Sequence, residues 1–167
     1  MIGGATPELD RTQEQHQAVA LAALLADEVR AADLVVVAAP LYNFGISQHL
    51  KMWIDLVVAG APAGSRLLEG TPTALIATRG GAYGQGTPRD GWDHGTPHLR
   101  RMLADVWGAD LTVIEREFKL VGVNPALDDF RDFAITMKTD AEQAASAAGR
   151  SLAERLGTST RTVDASR

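Results

Sequence analysis

The sequence predicts an α/β domain built on a parallel sheet. Three observations carry that prediction. The run Leu34–Ala39 is too short for a helix and rich in β-branched valine, so it reads as a strand buried on both faces. Thr73–Thr78 reads as a second buried strand, and Asp110–Ile114 as a third. Helical patterns alternate with these strands, which calls for parallel pairing through right-handed crossovers.

The first helix follows Thr12, which forms a capping box with Gln15. Leu21, Leu24, Leu25 and Val29 supply its expected buried stripe. Pro40 ends the first strand because proline cannot donate to a sheet ladder. After a short loop a second helix begins near Ser47, with Leu50, Trp53, Ile54 and Val57 on one face. It ends near Gly60, and Ala61–Ser65 is a turn-rich connector to the second strand.

Arg79–Gly95 is a glycine-rich loop, and Thr96-Pro97 opens a third helix with proline at the favoured first position. Leu99, Met102, Leu103, Val106 and Trp107 trace its apolar face, and Gly108 caps its end. Phe130, Phe133 and Met137 lead into a last helix, capped by Thr139 with Glu142 and stopped at Gly157. Residues 1–157 thus form one domain, and residues 158–167 are expected to be a disordered tail. No internal repeat is present.

In open α/β sheets, ligands bind beyond the carboxyl ends of the strands. Leu41, Tyr42, Asn43, Phe44 and Gly45 occupy that place after the first strand. An aromatic pair with a carboxamide suits a flat ligand with a polar edge. Thr78, Arg79, Gly80 and Gly81 occupy the same place after the second strand, where glycine permits close backbone approach.

The residues Pro40, Leu41, Tyr42, Asn43, Phe44, Gly45 and Ile46, with Leu50-Lys51 and Trp53-Ile54-Asp55, resemble the flavin-contacting loop of the FMN-dependent NADH:quinone oxidoreductases and azoreductases. In that family the loop usually reads Pro-Met-Tyr-Asn-Phe, and Leu41 stands for the methionine with similar volume. Ala77–Gly81 is similar to the family's Ser-Arg-Gly-Gly, with Thr78 for the serine. The resemblance runs from about Thr6 to Leu156. It implies a flavodoxin-like, three-layer α/β/α fold with strand order 2-1-3-4-5. Leu34–Ala39 would then be the third strand of that order.

The family also has an N-terminal strand, a serine-rich FMN-phosphate loop, a first helix and a second strand. None of these patterns precedes Ala32, so the chain reads as N-terminally truncated with three strands evident. The first of the three is then expected to be an apolar sheet edge, prone to association. The interval Gly60–Thr73 is also short beside the family pattern, in which a loop there shapes the substrate pocket and dimer contact.

By resemblance, the chain is an FMN-dependent oxidoreductase that takes electrons from NADH and passes them in pairs to quinones or azo compounds by a ping-pong scheme. Pro40, Leu41, Tyr42, Asn43, Phe44, Thr78, Arg79, Gly80 and Gly81 are the implied FMN contacts. Many relatives carry histidine two residues after the glycine pair. Tyr83 stands there instead, a phenol able to donate a hydrogen bond and the one candidate catalytic side chain. A homodimer is implied as well. The alternative is a non-catalytic flavodoxin-like binding module that has lost the FMN phosphate site.

Composition constrains the remaining classes. Sixteen basic against 21 acidic residues leave a net charge of −5 and no basic run, which disfavours a nucleic-acid partner. Zero cysteines exclude disulfides, thiol catalysis and iron–sulfur ligation, and fit a reducing cytoplasm. No apolar run approaches the roughly 20 residues of a membrane-spanning helix. His16, His49, His94 and His98 show no metal-ligand spacing, so no metal is expected. Gly84-Gln85-Gly86 lacks the spacing and the lysine of a phosphate loop, and Ser65 lies in no nucleophile elbow.

Overall fold

The computed structural model describes residues 6–164. After a 3₁₀ turn at Glu8–Asp10 the elements run α1 (Gln13–Arg30), β1 (Val35–Pro40), α2 (Gln48–Gly60), β2 (Pro72–Thr78) and α3 (Gly95–Arg100). The last of these passes directly into a π-helical turn, Arg101–Val106. Then follow β3 (Asp110–Arg116), a 3₁₀ turn at Pro125–Phe130 and α4 (Arg131–Asp164). The three strands are parallel in the order β1-β2-β3, with Val37 opposite Leu75 and Leu75 opposite Val113. Beyond the ends of this sheet lie the loops that build the site.

The α1 capping box forms as the sequence implies: Thr12 Oγ1 accepts from the Gln15 N–H, and Gln15 Oε1 accepts from the Thr12 N–H. The buried stripe differs from expectation. Ala22, Ala26 and Val29 are inside, whereas Leu21 and Leu24 face solvent. Close approach decides this. A Cβ on Gly60 of α2 would lie 1.9 Å from the Ala22 carbonyl oxygen, so the two helices meet backbone to backbone and only small residues fit between them.

Ser47 caps α2 by accepting from the Leu50 N–H. Ile54 and Val57 then reach the core with Val37, Ala39 and Leu75, and Leu99, Leu103 and Trp107 join from the α3 segment. Trp107 meets Trp53 edge-on at 6.0 Å. Gly108 adopts φ +81°, the left-handed geometry of a helix end, and its N–H closes on Ala104.

The opposite sheet face is covered unevenly. There α4 packs on β3, where Ile114, Ala134 and Leu152 are buried, and Arg155 pairs with Asp110. No described element covers the same face of β1, leaving Val36 56% exposed. The expectation that Leu34–Ala39 is buried on both faces therefore fails: burial alternates along β1, and only β2 is inside on both faces. The expectation of an edge strand holds among the described residues.

The last helix also differs. It starts at Arg131, so Thr139 lies in its interior and bonds back to the Ile135 carbonyl instead of capping an end. It continues past Gly157 to Asp164, where the sequence suggests a disordered tail. Glycine weakens a helix by about 1 kcal/mol without ending it, and no proline follows. Residues 165–167 of that expected tail lie outside the described residues.

Two glycines of the helices should respond oppositely to alanine. Gly60→Ala pushes a methyl into the α1 backbone and should lower stability by about 1–3 kcal/mol or more. A Cβ on Gly149 in α4 would meet nothing within 4 Å, so Gly149→Ala should raise stability by about 0.5–1 kcal/mol. Urea unfolding of both variants checks the α1–α2 contact, and equal effects would contradict it.

Candidate functional site

The loop after β1 is a tight turn. The Leu41 N–H donates to the Thr78 carbonyl at 2.8 Å, carrying the β1–β2 ladder one residue past Pro40. Tyr42 and Gly45 then exchange two backbone hydrogen bonds of 2.9 Å, with Asn43 at φ +47° and Phe44 at φ +69° between them. Two left-handed central residues define the primed turn of a hairpin. Asparagine tolerates this conformation, whereas phenylalanine is an outlier in it. Tyr42 and Phe44 project into solvent, 57% and 38% exposed. The Asn43 amide has no partner among the described residues.

What holds the turn comes from the start of α3. The His94 N–H donates to the Phe44 carbonyl at 2.8 Å. Gly95 lies so near that a Cβ there would sit 3.0 Å from Leu41 Cδ1 and 3.1 Å from the Gly45 carbonyl carbon. The seam among Pro40, Gly45, Thr78 and Thr96 encloses only about 10 Å³. A ring can therefore lie on this floor but cannot insert into it.

Arg79, at the end of β2, turns inward and is 7% exposed. Its Nε meets Asp93 at 2.6 Å, its Nη1 meets Glu117 at 3.1 Å, and Nη2 reaches Glu115 at 3.1 Å and the Thr96 hydroxyl oxygen at 3.2 Å. Asp93 in turn accepts from the Gly95 and Thr96 N–H groups, both at 2.9 Å, and so caps α3. Glu117 accepts from the Tyr83 N–H at 2.9 Å. Arg79, implied above as a cofactor contact, thus directs its side chain to three carboxylates. Asp93 and Glu117 are site residues that the sequence reading missed, and the alternating Glu115 and Glu117 were the only hint.

Burial works to raise the Asp93 pKa, but hydrogen bonds from Thr96 and the charge of Arg79 outweigh it and hold the carboxyl below its ordinary value. Burial likewise works against the Arg79 charge, yet Glu115 and Asp93 hold its pKa above the ordinary value. Arg79 is permanently cationic here.

Gly80 and Gly81 continue alongside the segment after β3, accepting from the Leu120 and Phe118 N–H groups at 3.1 and 3.2 Å. A Cβ on Gly80 would meet Leu120 Cδ1 at 2.7 Å. Their own N–H groups find no acceptor among the described residues. Tyr83 accepts at its hydroxyl from Arg89 Nη1 at 3.1 Å, and its ring lies 6.4 Å from that of Phe44. Trp92, also missed from sequence, stands edge-on to Phe44 at 5.4 Å and is 51% exposed. The structure thus gathers Tyr42, Asn43, Phe44, Tyr83 and both glycines at one end of the sheet. His49 and His16 lie elsewhere on helices, and no metal-binding cluster of acidic and histidine side chains exists among the described residues.

Comparison with known proteins agrees with this architecture. Residues 3–129 match the family model described as flavodoxin-like fold. An FMN-dependent NADH:quinone oxidoreductase of Parafrankia sp. (strain EAN1pec) is 37% identical over 148 residues, covering 86% of this chain and 70% of the relative. One of Kineococcus radiotolerans is 42% identical over 141 residues, covering 82% and 65%. The chain thus spans about two thirds of the length of such relatives. Among solved structures, an azoreductase from Bacillus anthracis superposes with a TM-score of 0.66 at 26% identity, over 84% of this chain and 67% of that one. Azoreductase AzrA gives 0.67 at 26% identity, over 90% and 73%.

The ion network should dominate acid stability. A depressed folded pKa means that Asp93 contributes stability above its unfolded value, roughly pH 3.9, which is lost as pH falls through the folded value. Asp93→Asn should lower stability at neutral pH and flatten the loss as pH falls below the ordinary carboxyl range. Arg79→Met strands buried carboxylates and should cost about 3–5 kcal/mol. Urea midpoints measured against pH check both, and an unchanged acid limb in Asp93→Asn would show that other carboxylates control it.

Proposed function

The chain belongs to the flavodoxin-like fold family of the FMN-dependent NADH:quinone oxidoreductases, and on that premise we propose that it binds FMN at the Tyr42–Gly45 turn and serves a two-electron reductase. When bound, FMN supplies a carrier that takes a hydride from NADH and then reduces a quinone or an azo compound, in the alternating order of a ping-pong scheme.

One observation carries the reading. The unpartnered donors at this end of the sheet, the Gly80 and Gly81 N–H groups and the Asn43 amide, flank exposed aromatic rings. An isoalloxazine ring presents that complement, an apolar face with oxygen and nitrogen acceptors along one edge. Pro40, Leu41 and Thr78 form the floor, which is already closed by the Leu41–Thr78 hydrogen bond. Tyr42 and Phe44 supply the apolar contact. Arg79 contributes shape from beneath, since its guanidinium is taken up by its three carboxylates. Donors aimed at the ring edge would stabilise negative charge developing on reduction. Tyr83 is assigned a donor role toward the acceptor, with Arg89 holding its hydroxyl.

This reading extends to a homodimer in the cytoplasm. The uncovered apolar face of β1 and the exposed Tyr42 support self-association. No described helix is long and apolar enough to cross a membrane.

Fluorescence quenching of FMN on titration with the protein tests the assignment. Asn43→Gly keeps the left-handed turn and removes only the carboxamide. It should weaken binding roughly 3- to 10-fold, the worth of one hydrogen bond. His94→Ala should change nothing, because His94 acts through its backbone N–H. Equal responses of the two variants, or no quenching at all, would refute the loop as the flavin site.

A further inference from the structure

One buried carboxylate, Glu117, joins the Arg79 cluster to the loop that carries the glycine pair. We infer that Glu117 is a positioning residue for the proposed flavin site, holding residues 80–83 so that their free donors face the ring edge. The inference rests on the flavin reading and names the side chain on which its geometry depends.

The segment after β3 holds this loop by its carbonyls. The N–H groups of Lys119, Leu120 and Phe118 donate to the Arg79, Gly80 and Gly81 carbonyls at 3.0, 3.1 and 3.2 Å. Acceptors are thereby consumed, and the Gly80 and Gly81 N–H groups are left for a ligand. Tyr83 reverses the pattern: its N–H turns back and donates to Glu117 Oε1 at 2.9 Å. The same oxygen accepts from Arg79 Nη1 at 3.1 Å. Glu117 is 5% exposed, so water does not compete for either bond. An amide gripped by an oxygen that is itself fixed by a guanidinium has little freedom to drift.

The outer side of the turn is closed by Thr87, whose hydroxyl reaches the Ala82 and Gly84 carbonyls at 3.2 and 2.8 Å. Between these two anchors, a shift at the Tyr83 N–H moves the glycine donors and also the Tyr83 ring that faces Phe44. What the loop requires of residue 117 is therefore reach more than charge. Arg79 keeps Asp93 and Glu115 when the Glu117 charge is lost. Glutamine preserves the length and an acceptor oxygen without the charge. Aspartate preserves the charge but is one methylene too short to hold both partners.

FMN fluorescence quenching on the full chain, read beside amide hydrogen exchange of the flavin-free protein, tests the role. Glu117→Ala and Glu117→Asp should weaken FMN roughly tenfold, and Glu117→Gln should stay within about threefold of the parent chain. Gly60→Ala, which lowers stability at the α1–α2 contact, should leave FMN affinity within about twofold. Exchange at the Tyr83 amide should quicken in Glu117→Asp beyond any change at the β2 amides, and should not in Glu117→Gln. If Glu117→Ala does not fold, the aspartate and glutamine variants decide. Glutamine binding as weakly as aspartate, aspartate binding as tightly as the parent, or an unchanged Tyr83 amide in Glu117→Asp would overturn the role alone. Absence of quenching by the parent chain would overturn the flavin reading, and this role with it.

Discussion

A guanidinium taken out of water must find acceptors for its donors, and the acceptors chosen by Arg79 decide how this protein's loops can be arranged. Asp93 belongs to the segment that starts α3, and Glu115 and Glu117 to the end of β3. One cation therefore ties the carboxyl end of the central strand to the segments on either side. The contacts extend outward. Asp93 fixes the first turn of α3, which brings the His94 N–H onto the Phe44 carbonyl, and Glu117 fixes the backbone at Tyr83. Three carboxylates exceed one guanidinium in charge, and among the described residues only Arg100, 3.7 Å from Glu115, adds a second cation at the edge. Such clusters contribute less to net stability than to selecting a single arrangement, because desolvation offsets most of the attraction. Specific loop geometry is what this end of the sheet requires.

Two phenylalanines in left-handed conformation stand at the ends of the outer strands, Phe44 after β1 and Phe118 after β3. Each position would be occupied more easily by glycine, and the strain is of the order of 1–2 kcal/mol per residue. The compensation differs. At Phe44 it is polar: the paired hydrogen bonds between Tyr42 and Gly45 and the donor from His94. At Phe118 two flanking rings are added to the backbone hydrogen bonds with Gly81 and Val121. The Phe44 ring is displayed at the surface, whereas the Phe118 ring is buried beneath Phe130 and Phe133, which are themselves half exposed. The outer strands thus give the domain two distinct aromatic surfaces, separated by the glycine pair of the middle strand.

Much of this was legible in the sequence because short apolar runs and helix periodicity report burial directly. The three strands, the Thr12 capping box, the Ser47 start of α2 and the Gly108 helix end all follow from local rules. What was not legible depended on partners distant in the chain. Leucine at 21 and 24 has the spacing of a buried stripe, yet the α1–α2 approach at Gly60 admits only alanine, and no local signal announces that contact. Thr139 with Glu142 looks like a cap, but a cap requires a helix end, and the end is fixed upstream at Arg131. The site shows the same division. The aromatic turn after β1 was evident from its residues. Asp93 and Glu117, 14 and 38 residues from Arg79, were not, since the three-way meeting exists only once the sheet has formed.

The position of β1 explains why so many contacts converge on its terminus. An edge strand has hydrogen bonds on one side only, and here its outer face is also bare, with Val36 in solvent. Left to its ladder with β2, the end of such a strand would fray first, since local stability follows burial and contact density. The turn that follows would fray with it and lose any defined ligand geometry. Three contacts oppose this: the added rung from Leu41 to Thr78, the His94 donor, and the glycine-permitted approach of Gly95 against Leu41 and Gly45. All three come from the β2 side, which the Arg79 network has already fixed. The site's rigidity is therefore borrowed from the central strand, and the edge strand contributes position without having to supply stiffness of its own.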